Sequence, residues 1–76
     1  MTGPRVTGTA VHVIVNGQPG TFPPDTTLDA VIAGITPSRT GIAAAVGEVV
    51  VPRAGWSSRV IRDGDEIEIL TAVQGG

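Results

Sequence analysis

Apolar residues occupy every second place from Val11 to Val15, so that Val11, Val13 and Val15 share one face of an extended strand. Ala10, His12 and Ile14 take the other face. Asn16-Gly17 follows, a pair in which both residues tolerate positive φ and the strongest short-range signal of a two-residue hairpin. A return strand over Gln18–Phe22 is then stopped by Pro23-Pro24. The period next changes from two to 3.6. Leu28, Val31, Ile32 and Ile35 fall at i, i+3, i+4 and i+7, the apolar stripe of a short amphipathic helix. Thr26 is its expected N-cap, with Asp29 three residues on in a capping-box arrangement, and Gly34 and Pro37 close it. Ile42–Val46 reads as a small, apolar strand. Gly47-Glu48 fits a two-residue turn into a short strand at 49–51, which Pro52 ends. Residues 53–59 carry no pattern, Arg62-Asp63-Gly64-Asp65 is a turn, and 66–70 form a last strand with Ile67 and Ile69 inward.

The order strand, strand, helix, strand, short strand, strand predicts an α+β fold. Its sheet is mixed, of four to five strands, with one helix packed on one face. A right-handed crossover would bring the first and last strands side by side in the centre, the β-grasp (ubiquitin-like) arrangement. The expected organisation is a flexible leader at 1–9, the folded domain at 10–70 and a flexible tail at 71–76 that ends in two glycines.

Composition narrows what such a domain can do. At 76 residues there is one small core and little room for an enclosed cavity. Hydrophobic residues are 41% of the chain but Phe22 and Trp56 are the sole aromatics, so Val, Ile, Leu and Ala build that core. A net charge of −2, with five arginines scattered along the chain, argues against nucleic acid as a partner. The absence of cysteine excludes disulfides, thiolate catalysis and cysteine-held metals. No apolar run approaches the ~20 residues of a membrane span and the first nine residues have no signal-peptide character, so a cytoplasmic protein is expected.

The chain resembles the ThiS family of sulfur carriers from Val11 to Gly76. The likeness is carried by Val15-Asn16-Gly17, by Ala45-Val46 with Gly47-Glu48-Val49-Val50-Val51-Pro52-Arg53, by Trp56, by the run from Arg62 to Ile69, and by Ala72-Val73-Gln74-Gly75-Gly76. One departure lies in a turn, where Val46-Gly47-Glu48 replaces the family's usual Asn-Gly. The resemblance implies that the Gly76 carboxylate is adenylated by an E1-like (ThiF-like) enzyme using ATP. It is then converted to a thiocarboxylate with sulfur from a donor protein. The sulfur would go to a thiazole synthase (ThiG-like) for thiamin biosynthesis. The chain itself would be a co-substrate, with no enzyme activity and no bound cofactor or metal. Sulfur carriers for molybdopterin or cysteine synthesis share these features. A ubiquitin-like modifier and a non-covalent interaction module remain further alternatives.

The tail suits such chemistry. A carboxylate repels nucleophiles and lacks a leaving group, and joining it to AMP corrects both. Glycine has no Cβ, so Gly75 gives slender access to another protein's site while Gly76 supplies the reactive carbon. Loose polar ends are common in any protein, and here the lead-in Ala72, Val73 and Gln74 argues for use. Ile14 and Leu70 are expected on the uncovered face of adjacent strands, a docking patch together with Ala72, Val73 and Gln74. His12 lacks local partners for acid–base work. Asp63, Asp65, Glu66 and Glu68 read as a turn and a solvated face ahead of a metal site. Trp56, Phe22 and Pro52 are expected packing residues.

Overall fold

The computed structural model describes residues 10–37 and 40–71. The expected leader (1–9) and the tail residues Ala72, Val73, Gln74, Gly75 and Gly76 lie outside them. The described chain forms β1 (Val11–Val15), β2 (Gln18–Phe22), α1 (Leu28–Ile35), β3 (Ile42–Val46), β4 (Val49–Val50), a 3₁₀ segment (Arg53–Ser58) and β5 (Glu66–Thr71). The five strands make one mixed sheet in the order β2-β1-β5-β3-β4. β1 and β5 are parallel neighbours in its centre, and every other pairing is antiparallel.

The hairpin follows from its turn. Asn16 and Gly17 have φ of 51° and 83°, both positive as a type I′ turn requires, and this sets the register from Val15↔Gln18 to Val11↔Phe22. Pro19 is tolerated because β2 is an edge strand, where a missing N–H need not break a ladder. Gly47, at φ 65°, turns β3 into β4 as expected. Gly64, at φ 90°, occupies the third position of the turn from Arg62 to Asp65, which Asp65 N–H closes onto Arg62 C=O at 3.0 Å.

One face of the sheet is dry. Val11 and Val13 of β1, Ile67 and Ile69 of β5, and Ala44 and Val46 of β3 meet Leu28, Val31 and Ile32 of α1. Trp56 and Ile61 close the core, and the indole N–H of Trp56 donates to Val51 C=O at 2.9 Å. That bond lets a polar ring atom be buried without loss.

Several expectations change in detail. The helix N-cap is Thr27, whose hydroxyl accepts from Ala30 N–H at 3.2 Å, and not Thr26. Thr26 is occupied elsewhere: its hydroxyl donates to Pro23 C=O at 2.6 Å and its carbonyl accepts from Ile61 N–H at 2.9 Å. Ile35, assigned to the buried stripe, is 47% exposed at the helix end. It lines an open hollow with Val15, Gln18, Pro19 and Phe22. Residues 53–58 are not irregular, since Gly55 N–H reaches Pro52 C=O and the 3₁₀ turn carries Trp56 into the core. Pro52 stays exposed at the start of that turn and packs nothing away. β5 runs one residue further than expected, through Thr71, which pairs with Ile42.

Candidate functional site

The face of the sheet away from α1 is open. Directly opposed residues in a sheet share a face, so His12, Ile14, Pro19, Glu66, Glu68, Leu70, Ala43, Ala45 and Val50 all project to this side. Leu70 is 65% exposed, Val50 69% and Ile14 38%. The alternation that predicted Ile14 and Leu70 on one uncovered face is thus realised. The two do not touch, however. Ile14 stands opposite Glu66, and Leu70 lies four positions further along β5, about 13 Å away at the rise of a strand. Ile14 has Pro19 as its apolar neighbour across β1 and β2. Leu70 instead lines a shallow hollow of about 80 Å³ with Ala43, Ala45, Val50 and Glu68. Small alanines on β3 leave room there, and β-branched Val50 walls it.

This hollow sits where β5 ends. Five residues follow Thr71 in the sequence, and fully extended they would span at most about 17 Å. The hollow thus lies beside the residue at which the described strand gives way to the segment carrying Gly75-Gly76.

His12 has a partner that local sequence did not reveal. Asp63, 51 positions away, accepts from His12 N–H at 2.8 Å and lies 3.3 Å from the ring Nδ1. Those hydrogen bonds, the backbone one first, hold the Asp63 carboxyl below its ordinary value of 3.8. The pair is open to solvent, with the His12 and Asp63 side chains 70% and 74% exposed. It pins the turn before β5 to β1, aided by Gly64 N–H to His12 C=O at 2.7 Å. The other carboxylates diverge: Asp65 accepts from Arg62 N–H at 2.8 Å and approaches Arg59 at 3.9 Å. Among the described residues no group of three or more acidic, His or Cys side chains could hold a metal, and no helix is long and apolar enough to cross a membrane.

A mixed sheet with parallel central strands from the two ends of the described chain, one helix on one face and an open second face defines a ubiquitin-like β-grasp domain. The ThiS family model matches residues 13–76, and the chain belongs to that family. It is 24% identical over 66 residues to the sulfur carrier protein ThiS of Escherichia coli (strain K12), an alignment covering 87% of this chain and all of the relative. The crystal structure of a thiamine biosynthesis protein (ThiS) from Geobacter metallireducens superposes with a TM-score of 0.70. It is 20% identical and covers 87% of this chain and all of that one.

Proposed function

We propose that this chain is a sulfur carrier for thiamin biosynthesis and that the carrier atom is bound at Gly76. In this reading a ThiF-like partner binds ATP, and a Gly76 carboxylate oxygen attacks its α-phosphorus with release of pyrophosphate. The resulting acyl adenylate has AMP as leaving group. Sulfide-level sulfur (HS⁻) released from a donor protein attacks the acyl carbon and displaces AMP, leaving a thiocarboxylate, which a ThiG-like thiazole synthase consumes. The chain is a co-substrate in the cytoplasm and binds no cofactor of its own. Gly75 keeps the approach to Gly76 narrow, with Ala72, Val73 and Gln74 lying along the partner's channel.

The observation that carries the reading is family membership over residues 13–76, which extends to the diglycine itself. The absence of cysteine fits it, because a thiocarboxylate needs no thiol from the carrier. On the folded domain we assign docking to Leu70, Val50, Ala43 and Ala45, with Ile14 as a separate contact beyond Glu66 and Glu68. The test is intact mass after incubation with ATP, the adenylating enzyme and a sulfur source. Exchange of one oxygen for sulfur is expected in the full chain and absent from a chain lacking Gly75-Gly76. Equal thiazole formation by the shortened chain would refute the proposal.

A further inference from the structure

Asn16 does two jobs, and only one belongs to the hairpin. Its φ of 51° starts the type I′ turn. Its N–H still belongs to the parallel ladder, donating to Ile67 C=O at 2.9 Å. Had β1 continued, the Asn16 carbonyl would accept from Ile69 N–H, as the evenly spaced bonds of a parallel pair dictate. The turn swings that carbonyl away. The side chain replaces it: Ile69 N–H donates to Asn16 Oδ1 at 2.7 Å, and Asn16 Nδ2 donates to Ile69 C=O at 3.1 Å. One donor and one acceptor on the same residue fix which end of the carboxamide is oxygen. The side chain stands in for the two backbone groups that a continued strand would have offered Ile69, the carbonyl of residue 16 and the N–H of residue 18.

The place of this clamp matters. Beyond Ile67 the backbone of β1 has left the sheet, so the last residues of β5 have β3 alone on their other side, through Ala44↔Ile69, Ala43↔Leu70 and Ile42↔Thr71. A strand end held from one side opens readily. Ile69 immediately precedes Leu70, the exposed residue of the hollow, and Thr71 is the last described residue before the tail. Side chains alternate along a strand, so fixing Ile69 inward fixes Leu70 outward.

We infer that Asn16 is a positioning residue for the reaction at the tail: its carboxamide clamps Ile69, presets the aim of Leu70 and fixes the point from which the tail departs. This rests on the sulfur-carrier reading. A partner then meets a docking step and a tail root already in register, and need not order them on binding.

The test uses the full chain with Asn16→Gly and Asn16→Asp. Glycine accepts the positive φ of the turn but removes both side-chain bonds. Hydrogen exchange at the Ile69 amide is expected to accelerate about tenfold or more, the size expected for two lost hydrogen bonds. In ATP–pyrophosphate exchange with the adenylating enzyme, KM for the chain should rise by a similar factor with kcat unchanged. Aspartate keeps the acceptor but sets a charged oxygen against the Ile69 carbonyl. Acidification that protonates it restores a donor, so Ile69 protection should recover in this variant, measured against wild type, which carries the same neighbouring carboxylates Glu66 and Glu68 on β5. Unchanged Ile69 exchange in Asn16→Gly would overturn the inference. So would faster exchange with KM unmoved, since the clamp would then serve the fold alone. A wild-type chain that is never adenylated would remove the sulfur-carrier reading and this role with it, whereas an active wild type with indifferent variants removes only the role of Asn16.

Discussion

Truncating Leu70 to alanine separates recognition from folding. Leu70 is 65% exposed, so the folded domain gains little from its side chain and stability should move by no more than about 0.5 kcal/mol. Full burial of a leucine side chain is worth about 1.5–3 kcal/mol. If docking covers the exposed two-thirds, the complex loses about 1–2 kcal/mol, and Kd for the adenylating enzyme rises about 5- to 30-fold. Leu70→Asp adds the cost of burying a carboxylate, and binding should weaken by at least about a hundredfold. The control is Val49→Asp. Val49 is 67% exposed, yet it opposes buried Val46 and so belongs to the other side of the sheet at the β4 edge. Titration calorimetry would read the three variants, with a thermal melt for each to show intact folding. Equal weakening by Leu70→Asp and Val49→Asp, or none by either, would refute the assignment of the hollow as the docking step.

Two further predictions concern the scaffold. Gly34 lies in α1 with open space where a Cβ would go, so Gly34→Ala should stabilise by about 0.5 kcal/mol and raise Tm by a few degrees. Gly64 also has open space, but its φ of 90° makes Gly64→Ala destabilising by about 1 kcal/mol, and equal melts for the two variants would contradict the backbone argument. Asp63 has a lowered folded-state pKa, so its bonds to His12 contribute fully at neutral pH, above the unfolded value of 3.8. That contribution is lost as pH falls through 3.8 and the lower folded value. The Tm gap between wild type and Asp63→Ala should therefore shrink on acidification below about pH 4, and a gap that widens would reverse the assignment.

The elements that local sequence defines well are those whose partners are also local. The valine alternation with Asn16-Gly17 gave both strands and the register of the hairpin. The stripe of Leu28, Val31 and Ile32 gave the helix and its buried side. The cap was misplaced by one because two threonines stand together, and the choice between them is made by Ile61, 35 positions beyond Thr26, which takes the Thr26 carbonyl. Ile61 itself, 1% exposed, belongs to no periodic run and enters the core through that same pairing. The 3₁₀ turn around Trp56 has no apolar period to reveal it, and burial of the indole against distant segments decides the matter. On the open face, alternation placed Ile14 and Leu70 correctly, while the register that separates them and brings Val50 and Ala43 to Leu70 depends on pairings between distant segments. The second role of Asn16 was hidden for the same reason, since turn chemistry already accounts for an asparagine there.

Asn16 and Ile69 are 53 positions apart, and the strands they bind lie at the middle of the sheet. A central pair of such separation can close only after most of the polypeptide has left the ribosome, and topologies of this kind assemble late. The surface around Leu70 combines β3, β4 and β5, with Ile14 of β1 alongside. Under the docking proposed at Leu70, an unfinished or nicked chain would lack the assembled surface that an activating partner grips. Nucleotide would then be consumed only on folded molecules, and the recognition step would double as an inspection of the finished product.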